Sequence, residues 1–144
     1  MTGNSNGAKF ERFSPFELGI REWGTELLVS HIPNKCTGKL IYIDAGKKGG
    51  LQKHKEKDEA IFVFSGHLKL RYDNGKGKLI ETVMLPGDAA RFPPGLVHQE
   101  EAITDCIIFE VSSPHFNDRV RMEEFYGEKQ EGGLPSTEGP EASA

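Results

Sequence analysis

Four polar residues in the middle of the chain are of the types that bind divalent metal ions. Gln52 and His54 are separated by one residue, so on a β-strand both side chains point to the same face. Glu59 follows at the start of an apolar run, and His98 follows the turn-forming residues 93–95. Two imidazoles, one carboxylate and one amide oxygen form a mixed nitrogen and oxygen set that suits Zn, Mn, Fe, Co or Ni. On a six-coordinate ion, four protein ligands would leave two positions open for a substrate.

Each of these residues also has an ordinary structural role when it is considered alone. A single histidine is more often a surface or hydrogen-bonded residue than a ligand, and we expect that of His31, His67 and His115. Glu59 follows two charged residues and could be a solvated carboxylate. The metal-site prediction therefore depends on the combined spacing of the four residues and not on any one of them.

The segments around these residues are short apolar runs separated by turn-forming residues, which is typical of an all-β sandwich or barrel. Residues 68–72 alternate between apolar and charged, as a strand with one solvated face does. Residues 60–64 are apolar on both faces, as a central strand is. The sequence predicts strands over residues 26–32, 39–43, 60–64, 68–72, 78–84, 89–92 and 106–111.

The length of 144 residues suits one domain with one core. Residues 1–13 begin with small polar residues and are predicted to be loosely ordered, and residues 14–127 are predicted to form the barrel. Within the barrel domain, residues 118–125 are predicted to form a short helix. Residues 128–144 are rich in Gly, Pro, Ser and Glu, with almost no apolar side chains to bury, so we expect a disordered tail.

The overall composition argues against several classes of protein. The 18 basic and 22 acidic residues give a net charge of −4, whereas a nucleic-acid-binding protein usually presents a basic face. No apolar run approaches the roughly 20 residues that span a bilayer. The N-terminus lacks the apolar core of a signal peptide, so we expect a cytoplasmic protein. Cys36 and Cys106 are far apart and are expected to be reduced thiols.

The four candidate ligands belong to two spaced sequence patterns, which closely resemble the two motifs of the cupin family. The first pattern is Gly46, Gln52, His54, Glu59 and Gly66, and the second is Gly87, Pro93, Gly95 and His98. The resemblance extends over roughly residues 35–112. It implies a double-stranded β-helix, or jelly-roll, barrel in which Gln52, His54, Glu59 and His98 bind one divalent metal ion. The first motif normally has a histidine where this chain has Gln52.

A glutamine at that position resembles one branch of the family, the mannose-6-phosphate isomerases. Residues 51–54 (Leu-Gln-Lys-His) together with Glu59 are similar to the signature of that branch. Residues 109–111, 117–121 and 126–127 are similar to the end of type II phosphomannose isomerase domains. Asn117 stands there in place of an acidic residue, and Glu128 in place of an arginine.

The resemblance implies a metal-dependent aldose–ketose isomerase that acts on a sugar or sugar phosphate. The metal would polarise the carbonyl of the substrate, and a base would carry a proton between neighbouring carbons. The candidate bases are Glu59 and Glu110, the latter if its strand turns it inward. Arg121 is the candidate for binding a phosphate or an enediolate, because a guanidinium suits both.

Two other functions are consistent with the same residues. The first is an iron-dependent dioxygenase, although cupin oxygenases commonly use more histidines than this set contains. The second is a non-catalytic barrel that binds a sugar or another small metabolite, because the chain is short for a sugar-phosphate enzyme and shows no dedicated phosphate loop. Oxygen uptake with Fe(II) would identify the first, and turnover of a bound ligand would exclude the second.

The expected partners are a small-molecule substrate and a second copy of the chain. Single-domain cupins usually pair through the edges of their barrels, and an open jelly roll has edge strands that need covering. The sequence therefore predicts a homodimer with no nucleic-acid or membrane partner.

Overall fold

A computed structural model of the chain describes residues 7–137, and these residues form two antiparallel β-sheets. No helix within this range is long and apolar enough to cross a membrane. The elements are β1 (Phe16–Arg21), β2 (Gly24–Ile32), β3 (Cys36–Ile43), β4 (Gln52–His54), β5 (Glu59–Ser65), β6 (Leu68–Asp73), β7 (Leu79–Met84), β8 (Ala89–Phe92), β9 (His98–Ala102), β10 (Cys106–Ser112), β11 (Arg119–Arg121) and one turn of 3-10 helix (Glu123–Tyr126).

The order of the strands is that of a jelly roll. One sheet has six strands in the order β1-β2-β3-β10-β5-β8, and the other has five in the order β11-β4-β9-β6-β7. Strands distant in sequence are neighbours in space, since β3 pairs with β10 and β4 pairs with β9. The predicted all-β jelly-roll fold is confirmed.

The core lies between the two sheets and follows from the alternation of side chains along each strand. In β5 the buried residues Glu59, Ile61 and Val63 alternate with the exposed residues Ala60, Phe62 and Phe64. The apolar side chains of the core come from both sheets: Ile41, Ile43, Ile61, Val63, Leu68, Leu70, Met84, Phe92, Ala102, Cys106 and Ile108. One face of β5 therefore packs into the barrel while the other, equally apolar, lies on its outside.

The seven predicted strands correspond to β2, β3, β5, β6, β7, β8 and β10. The strands β1, β4, β9 and β11 were not expected. Both β4 and β11 have only three residues, and β9 (His-Gln-Glu-Glu-Ala) is mostly polar, so none of the three carries an apolar pattern. They exist because their backbones pair with neighbours in the sheet.

The helix predicted over residues 118–125 is wrong for its first half. Arg119 and Arg121 lie in β11, opposite His54 and Gln52 of β4, and the helical part is limited to Glu123–Tyr126. The charge pattern favoured a helix, but pairing with β4 determines the conformation of these residues. The short helix ends at Gly127, which has a φ of 74°.

The described part of the predicted tail, residues 128–137, contains no helix or strand but contacts the edge of the barrel. Arg121 Nη1 donates to the carbonyl oxygens of Gly132 and Leu134, and the Thr137 amide donates to Arg119 O. Gly50 makes room for this arrangement, because a Cβ there would lie 2.6 Å from Arg121 Nε. The remainder of the predicted tail, residues 138–144, and residues 1–6 lie outside the described range.

We predict that the buried Arg121–Glu123 ion pair contributes strongly to the stability of the fold. The two side chains are 2% and 4% exposed, and Nε lies 3.1 Å from both carboxylate oxygens. Replacing Arg121 with Met would leave Glu123 buried without its guanidinium partner. We expect the free energy of unfolding, measured by urea denaturation, to fall by about 3 kcal/mol or more.

The matched control is Arg91→Met. Arg91 pairs with Asp58 on the surface, where its side chain is 65% exposed. Loss of this solvent-screened pair should lower the free energy of unfolding far less than loss of the Arg121 pair. Equal effects of the two variants would show that the burial of the Arg121–Glu123 pair has no special importance for stability.

Candidate metal centre

Three of the four predicted ligands converge in the interior of the barrel. One ligand atom from each of His54, Glu59 and His98 lies within 4.8 Å of the other two, and all three residues are buried. They come from the end of β4, the start of β5 and the start of β9. The jelly-roll topology therefore brings together residues from distant parts of the sequence, in a spacing that one metal ion can span.

The ring of His54 is oriented by a buried carboxylate. Nδ1 of His54 donates to Oδ1 of Asp118 at 2.9 Å, and the other carboxylate oxygen, Oδ2, accepts from the amides of Glu56 and Lys57. Because the proton is on Nδ1, the Nε2 lone pair of the neutral ring faces Glu59. This carboxylate–histidine arrangement is the usual outer support of a metal-binding histidine.

The ring of His98 is oriented in an equivalent way by the backbone. Its Nδ1 donates to Leu96 O at 3.1 Å, and the Phe92 ring stacks on the imidazole with centroids 4.0 Å apart. Nε2 of His98 then lies 3.0 Å from Oε1 of Glu59, and Nε2 of His54 lies 3.8 Å from the same oxygen. Both imidazoles thus present the same nitrogen to one carboxylate oxygen.

The second oxygen of Glu59 is held by Lys57. Nζ of Lys57 lies 2.8 Å from Oε2 of Glu59 and 3.1 Å from Oε2 of Glu110. All three residues are buried, so the ammonium joins two carboxylates that would otherwise repel each other across the cavity wall. Lys57 fixes Glu59 with one oxygen directed at the histidines.

The pKa shifts of His54 and Glu59 suit metal binding, whereas the raised pKa of His98 favours a protonated ring that would have to lose its proton to bind a metal. Burial, followed by the charge of Lys57, lowers the pKa of His54 to about 4, so this ring is neutral at pH 7. Burial alone would raise the pKa of Glu59, but the charges of Lys57 and the two histidines outweigh it, and the pKa is well below its ordinary value. Burial would lower the pKa of His98, yet its bond to Glu59 outweighs burial and raises the pKa. A neutral imidazole and an ionised carboxylate are the forms that ligate metals.

Gln52, the fourth predicted ligand, lines the same cavity. It lies on β4 directly opposite His98 of β9 and two residues before His54, so all three side chains share one face of the sheet. Within residues 7–137 its amide makes no side-chain hydrogen bond. Its oxygen is therefore available as a further neutral ligand beside the other three.

The cavity has a volume of about 310 Å³ and contains further buried acids. Glu110, a predicted base, points inward from β10 and is 5% exposed, and burial raises its pKa. Glu100, which the sequence did not single out, lies two residues after His98, and burial raises its pKa to about 7. The structure thus places both predicted bases, Glu59 and Glu110, in the wall of one cavity.

Arg121 does not belong to this cavity. Its Nε and Nη2 donate to Glu123, and its Nη1 donates to backbone carbonyls of residues 132 and 134, so its hydrogen-bonding capacity is used in the protein. The prediction that Arg121 binds a substrate anion is therefore not supported by its position. Arg119, two residues earlier, lines the cavity instead.

Sequence reasoning missed Lys57 and Asp118 for a physical reason. Lys57 lies in the run 53–59, where all seven residues are titratable, which resembles a solvated loop. Asp118 was assigned to a helix. Only the tertiary contacts, in which Asp118 accepts the backbone amides of residues 56 and 57, show that both side chains are buried.

Comparisons with known proteins agree with this description. The family model described as "Cupin domain" matches residues 39–112, a range that contains Gln52, His54, Glu59 and His98. A search of curated proteins gives no match. Solved structures, in contrast, give many matches.

The matching structures include the capsular polysaccharide assembling protein CapF from Staphylococcus aureus, with 18% identity and a TM-score of 0.67; the match covers 76% of this chain and 32% of that chain. A sugar phosphate isomerase of the cupin superfamily from Silicibacter pomeroyi has 26% identity and a TM-score of 0.51, over 62% of this chain and 58% of that chain. Oxalate decarboxylase from Bacillus subtilis, which has Mn(II) centres, shows 15% identity and a TM-score of 0.60, over 72% of this chain and 29% of that chain. This chain therefore spans about a third of the length of CapF, and its likeness to CapF and to the decarboxylase concerns the fold alone.

Because Asp118 orients the ring of His54, we predict that loss of their hydrogen bond weakens metal binding indirectly. Replacing Asp118 with Asn keeps the shape of the side chain but removes the charge that holds the Nδ1 proton of His54. We expect the dissociation constant for Zn(II) or Mn(II), measured by competition with a chelating dye, to rise about 10- to 100-fold.

The control is Asp88→Asn, which alters an exposed turn where Asp88 accepts the amide of Leu85. It should leave metal affinity unchanged. An Asp118→Asn protein that keeps its thermal transition and its full metal affinity would contradict a supporting role for Asp118.

Proposed function

Because the chain belongs to the cupin family, we propose that it is a metal-dependent aldose–ketose isomerase acting on a sugar or sugar phosphate. The observation that carries the proposal is the convergence of His54, Glu59 and His98 on one point, in a cavity whose wall also contains the buried carboxylate of Glu110. The likeness to a sugar phosphate isomerase from Silicibacter pomeroyi supports the same reaction class.

The donor set fits a divalent ion. Two imidazole nitrogens and a carboxylate oxygen, with the amide oxygen of Gln52 beside them, match the preferences of Zn, Mn, Fe, Co and Ni. Such an ion would act as a Lewis acid on the carbonyl and hydroxyl oxygens of a sugar. The protein prepares the site in advance, since Asp118, Leu96 O and Lys57 already hold the three donors in orientation.

Glu110 is better placed than Glu59 to act as the general base. Both oxygens of Glu59 are engaged, one with the two histidines and the other with Lys57. Glu110 is joined through Oε2 to Lys57 and, more distantly, to Lys39 at 3.8 Å. Its Oε1 is free of ion pairs within residues 7–137 and can accept a proton from the carbon next to the substrate carbonyl.

The first test is the metal content of protein purified without added metal, measured by elemental mass spectrometry. We expect close to one equivalent of Zn, Mn, Fe, Co or Ni in the wild-type protein and loss of that metal in His98→Ala. The matched control is His67→Ala, which removes an exposed histidine and should retain the metal. Wild-type protein that holds no metal and binds none when it is offered would overturn the proposal.

The second test follows the reaction in D2O by proton NMR, with a panel of hexose 6-phosphates and unphosphorylated hexoses. An isomerase should convert aldose to ketose and exchange the hydrogen on the carbon beside the carbonyl. Glu110→Gln should lower kcat by about 10²- to 10⁴-fold without changing the metal content. Oxygen consumption by the iron-loaded protein would instead identify a dioxygenase, and binding without exchange or turnover would identify a binding barrel.

For assembly, we propose a homodimer that packs through the outer face of the six-stranded sheet. Leu40, Phe109 and Phe62 lie directly opposite one another across β3, β10 and β5. Beside them, Phe64 is 66% exposed and Val111 is 44% exposed. Contiguous apolar residues of this kind on a sheet face usually mark an interface.

A second copy of the chain is the occupant that suits this face. The face is apolar, and a two-fold axis normal to it would place aromatic side chains near their own equivalents in the second copy. The six strands of this sheet, about 4.8 Å apart and about 20 Å long, present roughly 600 Å² per copy. Two copies would bury on the order of 1,000 Å², which is near the lower limit for a specific interface.

This assembly predicts that a charge at Phe62 produces a monomer. Phe62→Glu should sediment as a monomer at a concentration where the wild-type protein is a dimer, because two carboxylates would be buried against each other. Val83→Glu, at an exposed apolar position on β7 of the other sheet, should remain a dimer. A monomeric wild-type protein, or a dimer that Phe62→Glu leaves intact, would exclude this interface.

A further inference from the structure

Arg119 is a cation of the cavity wall for which the described protein supplies no carboxylate. It lies on β11 directly opposite His54, so both side chains share the inner face of the sheet. Within residues 7–137 no acidic oxygen lies within 4 Å of its guanidinium. Within the same residues its side chain makes one hydrogen bond, a long one from Nη1 to Pro135 O at 3.4 Å. Most of its five N–H donors are therefore free to bind a ligand.

The other cations that line the cavity are all paired. Arg21 lies 3.3 Å from Glu26, Lys39 lies 2.9 Å from the same carboxylate, and Lys57 bridges Glu59 and Glu110. These three cations and three carboxylates balance one another. A further acid of the cavity wall, Glu100 on β9, makes no ion pair with Arg119 within residues 7–137.

Arg119 thus contributes a positive charge that no carboxylate of residues 7–137 pairs with directly. The guanidinium is half-buried, and burial lowers its pKa, with the charges of Arg21 and Arg121 adding to the effect and the charges of Glu26 and Asp118 partly opposing it. A partly desolvated cation without a partner is costly unless an anion reaches it. The exposed side chain of Asn117, two residues away on the same wall, adds an amide donor beside it.

We propose that Arg119, assisted by Asn117, binds an oxyanion group of the substrate, a phosphate or a carboxylate. This assignment rests on the isomerase function proposed above and gives that site a substrate class, an acidic sugar derivative. A guanidinium presents two parallel N–H groups to such an oxyanion, which a lysine cannot do. Residues directly opposite on antiparallel strands have Cα atoms about 4.5–5.5 Å apart. The anion and the reacting carbons can consequently belong to one small molecule that extends from Arg119 towards His54.

The binding test uses the metal-loaded protein and isothermal titration with inorganic phosphate and, separately, with acetate. Arg119→Met should raise the dissociation constant of the preferred anion at least tenfold, while Arg119→Lys should lose less because it keeps the charge. The control is Arg91→Met, which changes an exposed arginine outside the cavity and should bind as the wild type does. The anion that binds more tightly, phosphate or acetate, identifies the group on the substrate.

A kinetic test separates this proposal from the proposed reaction. Arg119→Met should raise KM for a hexose 6-phosphate at least tenfold, lower kcat for the same substrate much less, and retain a full equivalent of metal. If no sugar is isomerised, the titration with inorganic phosphate still tests Arg119 by itself. Phosphate binding that Arg119→Met leaves unchanged, as expected if the anion binds only at the metal, would overturn the assignment. A loss of phosphate affinity in Arg91→Met as large as that in Arg119→Met would also overturn the assignment.

Discussion

The carboxylate of Asp118 is the contact on which the arrangement of the site depends. This single side chain, 1% exposed, accepts the Nδ1 proton of His54 and the backbone amides of Glu56 and Lys57. These hydrogen bonds fix the orientation of the His54 ring, which is one candidate ligand. They also fix the conformation of the loop that carries Lys57 towards Glu59. Because Asp118 also leads directly into β11, it determines where Arg119 enters the wall of the cavity. A carboxylate that accepts several N–H bonds stays ionised despite burial, and the lowered pKa of Asp118 agrees with this.

The interior of this barrel is unusual for the number of charges it contains. From Glu59 a chain of alternating ion pairs passes through Lys57, Glu110 and Lys39 to Glu26. Removing so many charges from water costs more than hydrophobic packing of the same volume would, so stability alone does not explain the chain. The chain of ion pairs does, however, fix the position of each carboxylate around the candidate metal site. The arrangement suits a site that must hold a metal and move a proton, and it has no evident use in a barrel that is only structural.

The sequence predicted the candidate ligands well and their supports poorly, and the difference is physical. The spacing of Gln52, His54 and Glu59 is local, since strand alternation and one short loop determine it, and such spacing is visible in the sequence. The roles of the two arginines depend instead on which strand β11 pairs with. In sequence, Arg121 resembles a substrate-binding residue. In the structure, the absence of a side chain at Gly50 makes room for its guanidinium beside Glu123 and the C-terminal segment. Arg119, with no motif to mark it, is the one that reaches the cavity.

The alternation of side chains also connects the two faces of the six-stranded sheet. Lys39 and Glu110 point inward to the site, while their chain neighbours Leu40 and Phe109 point outward to the apolar face. Any partner that packs on the outer face therefore presses on the same backbone that positions the inner charges. Since close-packed layers are hardly compressible, a second layer packed on this face would restrict the motion of β3, β10 and β5 together. In this fold, alternate residues of the same three strands line the charged cavity and form the apolar outer face. An association through the outer face is therefore expected to stabilise the positions of the charged side chains in the cavity.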